Sequence, residues 1–220
     1  MLQSINFKQY ILNIEAFLFT GIKMLGQLNK TLNASLTIDN KIKNGDINKL
    51  EKVKEDMTDE MDVPIGWHTM GLPLIASVML TLISFSLPQI SLWHGISNWM
   101  NWSEHAFLTG TIITDFIYCI IINPLMILIA RGHYWALKSY VYLAFSTTVL
   151  VVLFFIYTTF GTLLGAEIKT THLVASIIGT ILIALNLRCL NSMIFYRMIA
   201  YYLHNRAWRK QIESERKHAS

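Results

Sequence analysis

The sequence predicts an all-α fold: a polytopic helical membrane protein with four transmembrane helices and an amphipathic N-terminal helical region. Charged residues make up only 15% of the 220 residues, whereas soluble domains usually carry about 25%. Nine of the fourteen acidic residues fall before residue 64, so the chain that follows is strongly apolar. That chain holds four apolar runs that can cross a hydrocarbon core of about 30 Å, which takes ~20 residues.

Residues 1–66 form the first of three predicted domains, a cytoplasmic or interfacial helical region with a linker. Residues 5–28 place apolar side chains at spacings of three and four, which indicates an amphipathic helix. This helix can lie in the membrane interface, pack on the rest of the protein or form an oligomer contact. Glu15 and Lys23 disfavour a fifth span. Residues 29–45 are rich in Asn, Thr, Ser and Lys, which predicts a solvated linker.

A second amphipathic helix is predicted after Asp46, a residue type that caps helix N-termini. Its apolar positions recur every three or four residues, while its other face is charged. So narrow a stripe suits either a short contact with another helix, from this chain or a second one, or one edge of a solvated helix. The stripe consists of Ile47, Leu50, Val53, Met57 and Met61.

Residues 67–192 form the second predicted domain, the transmembrane domain. A helix is the expected structure for each apolar run, because it satisfies its backbone hydrogen bonds internally. Lys and Arg concentrate before the first run, between the second and third, and after the fourth, which predicts that both termini face the cytoplasm. The predicted spans are residues 71–93, 106–130 and 140–160 and a fourth that begins near residue 173.

Residues 193–220 form the third predicted domain, a basic cytoplasmic tail that continues the last transmembrane helix. Arg197, Arg206 and Arg209 recur at helical spacing among apolar and aromatic residues. Basic side chains that leave a bilayer contact lipid headgroups. Ordinary positive-inside anchoring accounts for the same pattern.

The second span carries the candidate functional residues inside the membrane, Asp115, Asn123 and Pro124. An acidic side chain at membrane depth costs a few kcal/mol, so it usually faces the bundle interior or a cavity. Asp115 then belongs either to an ion relay or ligand site, or to a structural hydrogen bond. Pro124 removes a backbone donor and permits a kink, which is either functional or a matter of packing.

Three tryptophans mark the loop after the first span as a candidate interaction surface. Trp93, Trp99 and Trp102 fall within ten residues. An aromatic belt at the membrane interface explains them adequately. A recognition surface is the alternative, since tryptophan is favoured at binding hot spots.

Catalytic, cofactor and metal motifs were not found in the sequence. No nucleophile elbow, glycine-rich phosphate loop or HExxH pattern occurs, and no two histidines stand four residues apart. His94, His105 and His172 should all lie near the outer surface. They are either solvated residues of the membrane interface or parts of a site that forms only in the folded chain. The sequence thus predicts no enzyme, no cofactor and no bound metal.

Three classes of function remain. The first is a membrane interaction protein that recognises or blocks another membrane protein. The second is a subunit of an oligomeric channel or transporter that uses Asp115, because four spans rarely enclose a pathway alone. The third, a membrane enzyme, is disfavoured because no paired catalytic residues can be named. The expected partners are the lipid bilayer and another membrane protein, with a homo-oligomer left open and nucleic acid excluded, because the basic residues flank apolar spans.

The chain resembles small inner-membrane exclusion and immunity proteins carried on bacterial plasmids. The resemblance covers the whole chain in outline: an Asn-, Ile- and Lys-rich segment at residues 29–54, several spans without an enzyme motif, and a short basic tail. Length and layout are similar to the entry-exclusion proteins of I-type conjugative plasmids. That resemblance implies a bacterial inner membrane and recognition of a donor transfer protein, which blocks redundant plasmid entry. Colicin-type immunity proteins are the alternative family.

Overall fold

The computed structural model describes residues 25–43, 47–61, 66, 69–103, 105–165 and 169–219. These residues are almost entirely helical and include no strand, which confirms the predicted all-α fold. Most of the amphipathic helix predicted over residues 5–28, and the predicted Asp46 cap, lie outside the described residues. The described helices are α1 (Gly26–Lys43), α2 (Ile47–Met61), α3 (Leu72–Trp99), α4 (Ala106–Ala130), α5 (Tyr134–Leu163), α6 (Thr170–Leu190) and α7 (Met193–Ala219).

Within this described part, four helices are long and apolar enough to cross a membrane. They are α3 to α6, with 28, 25, 30 and 21 residues, and the predicted number of spans is confirmed. Consecutive spans are close in the chain and run antiparallel. We call the end at which α3 begins the proximal end, and the end at which α3 finishes the distal end. α5 begins at Tyr134 rather than at the predicted residue 140, because its first turns tolerate Lys138, whose ammonium group lies 5.5 Å from the Trp135 ring centre.

Among the spans, α3 lies at the centre and packs against α4, α5 and α6. α4 is the least covered of the four, because only 17% of its apolar 18-residue stretch is buried against the rest of the protein. Its outward face is therefore available to lipid or to another chain. The exposed large side chains on that face include Ile112, Ile113, Phe116, Ile117, Ile120 and Ile121.

The proximal end carries a layer of three helices, α1, α2 and α7. α2 packs along α7, and α1 packs on both α7 and α2. The apolar stripe predicted for α2 is the contact surface: each described member is at most 6% exposed. Contact within the chain therefore accounts for this stripe. Its described members are Leu50, Val53, Met57 and Met61.

The linker predicted over residues 29–45 is wrong, because residues 26–43 form helix α1. Asn and Thr are poor helix formers, and Asn33, Thr37 and Asn40 stand with three lysines on the exposed face of this segment. Its other face carries Leu28, Leu32, Ile38 and Ile42, all at most 8% exposed against the neighbouring helices. Tertiary burial of this stripe outweighs the low local propensity.

The tail does not continue the fourth span as one helix: α6 ends at Leu190 and α7 starts at Met193. Two polar side chains occupy the break and explain it. The Ser192 hydroxyl accepts a hydrogen bond from the Phe195 backbone N–H at 3.1 Å, which caps α7. Asn191 Oδ1 accepts the backbone N–H of Leu28 at 3.0 Å, which ties the break to α1. α7 can therefore fold back over the proximal end, where it packs on α1 and α2.

A buried ion pair fastens this layer to the spans. Asp39 on α1 and Arg206 on α7 form an ion pair, with 3% and 12% of their side chains exposed. Lys43 adds a second cation, 2.7 Å from Asp39. Arg206 also donates to the carbonyl oxygen of Gly132 at 2.9 Å, in the turn between α4 and α5. Gly132 has φ +81°, and a Cβ there would lie 2.9 Å from Tyr202 O, so glycine permits this close approach.

Candidate functional site

The distal end of α3 finishes in a hydrogen-bonded turn that presents two tryptophans. The Trp102 N–H donates to Ser97 O at 2.9 Å, and the Asn101 N–H donates to Asn98 O at 3.3 Å. Asn101 has φ +54°. These are the bonds and the left-handed residue of a Schellman motif, which fixes the chain direction after a helix. Backbone hydrogen bonds thus define the path of this turn.

The three predicted tryptophans do not occupy equivalent positions. Trp99 is 82% exposed and Trp102 is 49% exposed, so both project from the turn. Trp93 is partly buried instead, and its Nε1–H donates to Thr114 Oγ1 on α4 at 2.9 Å. A Cβ at Gly110 would lie 2.3 Å from the Trp93 ring, so the ring fills the space that this glycine leaves. Trp93 therefore joins α3 to α4, whereas Trp99 and Trp102, which we call the distal tryptophan pair, form a free surface.

Asp115 lies where α4 faces α3. It is half-buried, and the Ser86 side chain of α3 lies beside its carboxyl group. Its Oδ1 atom is buried and has no hydrogen-bond partner among the described residues. An unpaired carboxyl oxygen at membrane depth is costly, so Oδ1 is a polar group that the α3–α4 contact leaves unsatisfied among the described residues.

Asn123 and Pro124 do not join Asp115 in a common site. Both are exposed on the outer surface of α4. The helix continues through Pro124 without interruption to Ala130. The Asp115 carboxyl group therefore lies at the α3–α4 contact, whereas the Asn123 side chain lies apart from it on the membrane-facing surface of α4.

A second polar feature at the distal end is a cleft between α3 and α6 that we call the basic cleft. Lys169 Nζ lies 2.9 Å from His94 Nε2, and Asn98 Nδ2 lies 3.1 Å from His94 Nδ1. The rings of His94 and His172 meet edge to face with their centres 5.7 Å apart. The cleft has a volume of about 280 Å³, and Ser91, Gly95 and Tyr157 complete its lining.

The sequence placed His94 and His172 at the same end of the bundle but did not predict that they meet. The antiparallel order of the spans could have predicted the contact between these two histidines, because it brings the end of α3 and the start of α6 to the same end of the bundle. His105 is exposed in the turn before α4 and does not line the basic cleft. Within the part of the chain that the structure describes, no three His, Cys, Asp or Glu side chains are grouped as metal ligands.

A buried polar network in the interior of the bundle, in its proximal half, was missed entirely by sequence reasoning. The Ser77 hydroxyl donates to Asn186 Oδ1 at 2.6 Å, and Asn186 Nδ2 donates to Thr81 Oγ1 at 2.8 Å. The Tyr140 hydroxyl lies 2.7 Å from Ser77 Oγ. Each of the four side chains is at most 1% exposed. We call this the central network; it joins α3, α5 and α6.

The fold and these features define a helical membrane protein with four spans and a hydrogen-bonded distal turn. Comparison with protein-family models, with curated proteins and with solved structures finds no match to this chain.

Proposed function

We propose that this chain is a non-enzymatic membrane protein that recognises another membrane protein through its distal tryptophan pair. The observation that carries the proposal is the 82% exposure of Trp99 in a turn whose backbone is fixed by hydrogen bonds. A large aromatic side chain on a preformed turn loses little conformational entropy when a partner covers it. Met100, 47% exposed, extends the same apolar surface.

The orientation that we propose places this surface outside the cytoplasm. If both termini lie on the cytoplasmic side of a bacterial inner membrane, four spans put the distal end on the outer side of that membrane. Lys169 is the one basic residue among residues 93–105 and 161–171. Lys and Arg are frequent at the proximal end, as the positive-inside rule requires for a cytoplasmic face.

We further propose that the recognised protein is a donor transfer protein, so that the chain confers entry exclusion against redundant conjugative plasmid transfer. The layout resemblance to entry-exclusion proteins of I-type plasmids supports this choice. Exclusion needs recognition and not catalysis, which agrees with a surface built of exposed aromatic residues. A colicin-type immunity protein would use the same kind of surface against a different partner.

Replacing Trp99 and Trp102 together with alanine should abolish exclusion. Recipient cells that express the wild-type chain should receive an I-type plasmid at a lower frequency than cells without it. Each hot-spot tryptophan contributes about 2 kcal/mol to binding, or roughly 30-fold in affinity, so the double variant should restore transfer close to the level of cells without the protein. Mating frequency measures the effect, and an immunoblot of the membrane fraction checks equal expression.

Trp135→Ala is the matched control. Trp135 is 63% exposed but begins α5 at the proximal end, so its loss should leave exclusion unchanged. Exclusion by the double variant equal to that of wild type would rule out the distal tryptophan pair as the recognition surface. A wild-type chain that leaves plasmid transfer unaffected but protects cells against one colicin would favour the immunity alternative.

One observation supports a second candidate, a subunit of an oligomeric channel or transporter. Asp115 Oδ1 lacks a partner among the described residues, and Asn123 is exposed on the least covered span. A second copy packed on α4 would give Asn123 an interhelical hydrogen bond. In proteoliposomes this candidate predicts an ion flux that Asp115→Asn lowers, because intramembrane acidic residues mark ion pathways. No flux through the wild-type chain would exclude it.

A further inference from the structure

The basic cleft continues into an apolar groove on the membrane-facing surface of α3 and α5. This groove has a volume of about 430 Å³, within the ~300–1,000 Å³ typical of small-molecule sites. Ser91, Gly95 and Tyr157 line both the groove and the cleft, so the two form one continuous depression. Beyond these shared residues the groove is lined mainly by Pro88, Leu92, Leu150, Leu153 and Phe154.

Gly95 keeps the junction between groove and cleft open. A Cβ built on Gly95 meets no atom within 4 Å, so the space beside it is empty. Glycine in a helix interior costs about 1 kcal/mol relative to alanine, and no positive φ explains it at this position. The open space is thus the structural consequence of this residue.

The chemistry of the cleft favours an anion. Its lining residues include one lysine and two histidines but no carboxylate. Among the described residues, no ion pair joins Lys169 to an acidic side chain. Because the Lys169 ammonium lies against the His94 ring nitrogen, its positive charge is directed at the cleft without a counter-ion from the described chain.

We propose that this depression binds an anionic phospholipid of the distal leaflet. Its phosphate group lies in the basic cleft, near Lys169, His94 and His172, and one acyl chain follows the apolar groove between α3 and α5. Only an anionic amphiphile fits both parts at once, since a free anion leaves the groove empty and the phosphate of a zwitterionic lipid is already paired with the ammonium group of its own headgroup. Basic pockets between transmembrane helices bind lipid phosphates by the same attraction. In the orientation proposed above, the distal leaflet is the outer one, but the lipid site does not depend on the partner protein.

Native mass spectrometry of the full chain in detergent, titrated with defined lipids, tests the proposal. The wild-type chain should bind phosphatidylglycerol at least about tenfold more tightly than phosphatidylcholine with the same acyl chains. Inorganic phosphate, added as the free-anion arm, should displace phosphatidylglycerol only weakly, because it cannot occupy the groove. Equal affinity for the two lipids, or complete displacement by millimolar phosphate, would overturn the proposal.

Two variants separate the headgroup from the acyl chain. Lys169→Gln should weaken phosphatidylglycerol binding by about fivefold, the effect of one basic residue on an anionic lipid, and should weaken phosphatidylcholine binding much less, because that headgroup has no net charge. Gly95→Leu should weaken the binding of both lipids, because its side chain fills the junction. Lys169 is exposed and Gly95 borders empty space, so neither change disturbs the packing.

Each variant has a matched control. Lys138→Gln removes a lysine at the proximal end of α5, and Ala76→Leu enlarges an exposed small residue near the proximal end of α3. Both should bind the two lipids as wild type does. If Gly95→Leu binds both lipids as tightly as Ala76→Leu does, the groove does not hold an acyl chain and the proposal fails.

Discussion

Replacing Arg206 with leucine should lower the free energy of unfolding by about 3 kcal/mol, the scale for removing one partner of a buried ion pair. Asp39 would remain buried and would keep only Lys43, whose side chain is 53% exposed, as its cation. The carbonyl oxygen of Gly132 would lose the donor that ties the α4–α5 turn to α7. Reversible unfolding in mixed micelles with increasing SDS measures this loss.

Two further variants make the result specific. Arg209→Leu is the control, because Arg209 is an exposed arginine on the same helix that makes one long, exposed hydrogen bond of 3.3 Å to Arg131 O in the α4–α5 turn. Its loss should change stability by only ~0.5 kcal/mol. The double variant Asp39→Leu/Arg206→Leu should recover most of the loss, since an apolar pair often replaces a buried ion pair without cost. A stability of Arg206→Leu equal to that of Arg209→Leu would show that the buried pair does not hold the proximal layer.

The same ion pair should make the protein sensitive to acid. Burial raises the pKa of Asp39, but the hydrogen bonds and positive charges of Lys43 and Arg206 together lower it by more. The pKa therefore lies below its ordinary value of 3.8. A carboxyl group with a depressed pKa in the folded state stabilises that state fully above its unfolded pKa, and the contribution disappears as the pH falls through the folded pKa. Below pH ~4 the wild type should therefore lose more stability than the double variant, which has no carboxyl group at this position.

Local composition was enough to predict the four spans but not helix α1. Each span is an apolar run of adequate length, which is a property of neighbouring residues alone. α1 is different, because Asn29, Asn33 and Thr37 give it a weak helix propensity. What makes it helical is the burial of Leu28 and Ile42 against α7 and its neighbours, and that contact depends on residues far along the chain.

The interior contacts were out of reach of the sequence for a related reason. A span that is apolar on all sides gives no period that would reveal which face points inward. Ser77 and Ser86 therefore look alike in the sequence, although Ser77 contributes to the central network and Ser86 donates to its own helix at Leu82 O. Asp39 and Arg206 are 167 positions apart, so only the folded chain pairs them.

Replacing Asn186 with alanine should lower the free energy of unfolding by about 2 kcal/mol. Asn186 is the one member of the central network that both accepts from and donates to α3, through Ser77 and Thr81. An interhelical hydrogen bond in a membrane is worth ~0.6 kcal/mol on average and up to ~1.7. The alanine variant loses two such bonds and leaves a cavity at a fully buried position, which adds to the loss. Unfolding in SDS mixed micelles measures the change.

Tyr140→Phe and Asn123→Ala calibrate that result. The Tyr140 hydroxyl lies within hydrogen-bond distance of Ser77 and, at 3.3 Å, of Thr81, while Asn186 still links α6 to α3 in its absence. Tyr140→Phe should therefore cost less than ~1 kcal/mol. Asn123→Ala makes the same substitution as Asn186→Ala on an exposed surface of α4 and should leave the stability of the single chain almost unchanged. If Asn186→Ala and Asn123→Ala unfold alike, apolar packing alone holds α3 to α6 and the polar contacts between them contribute nothing to stability.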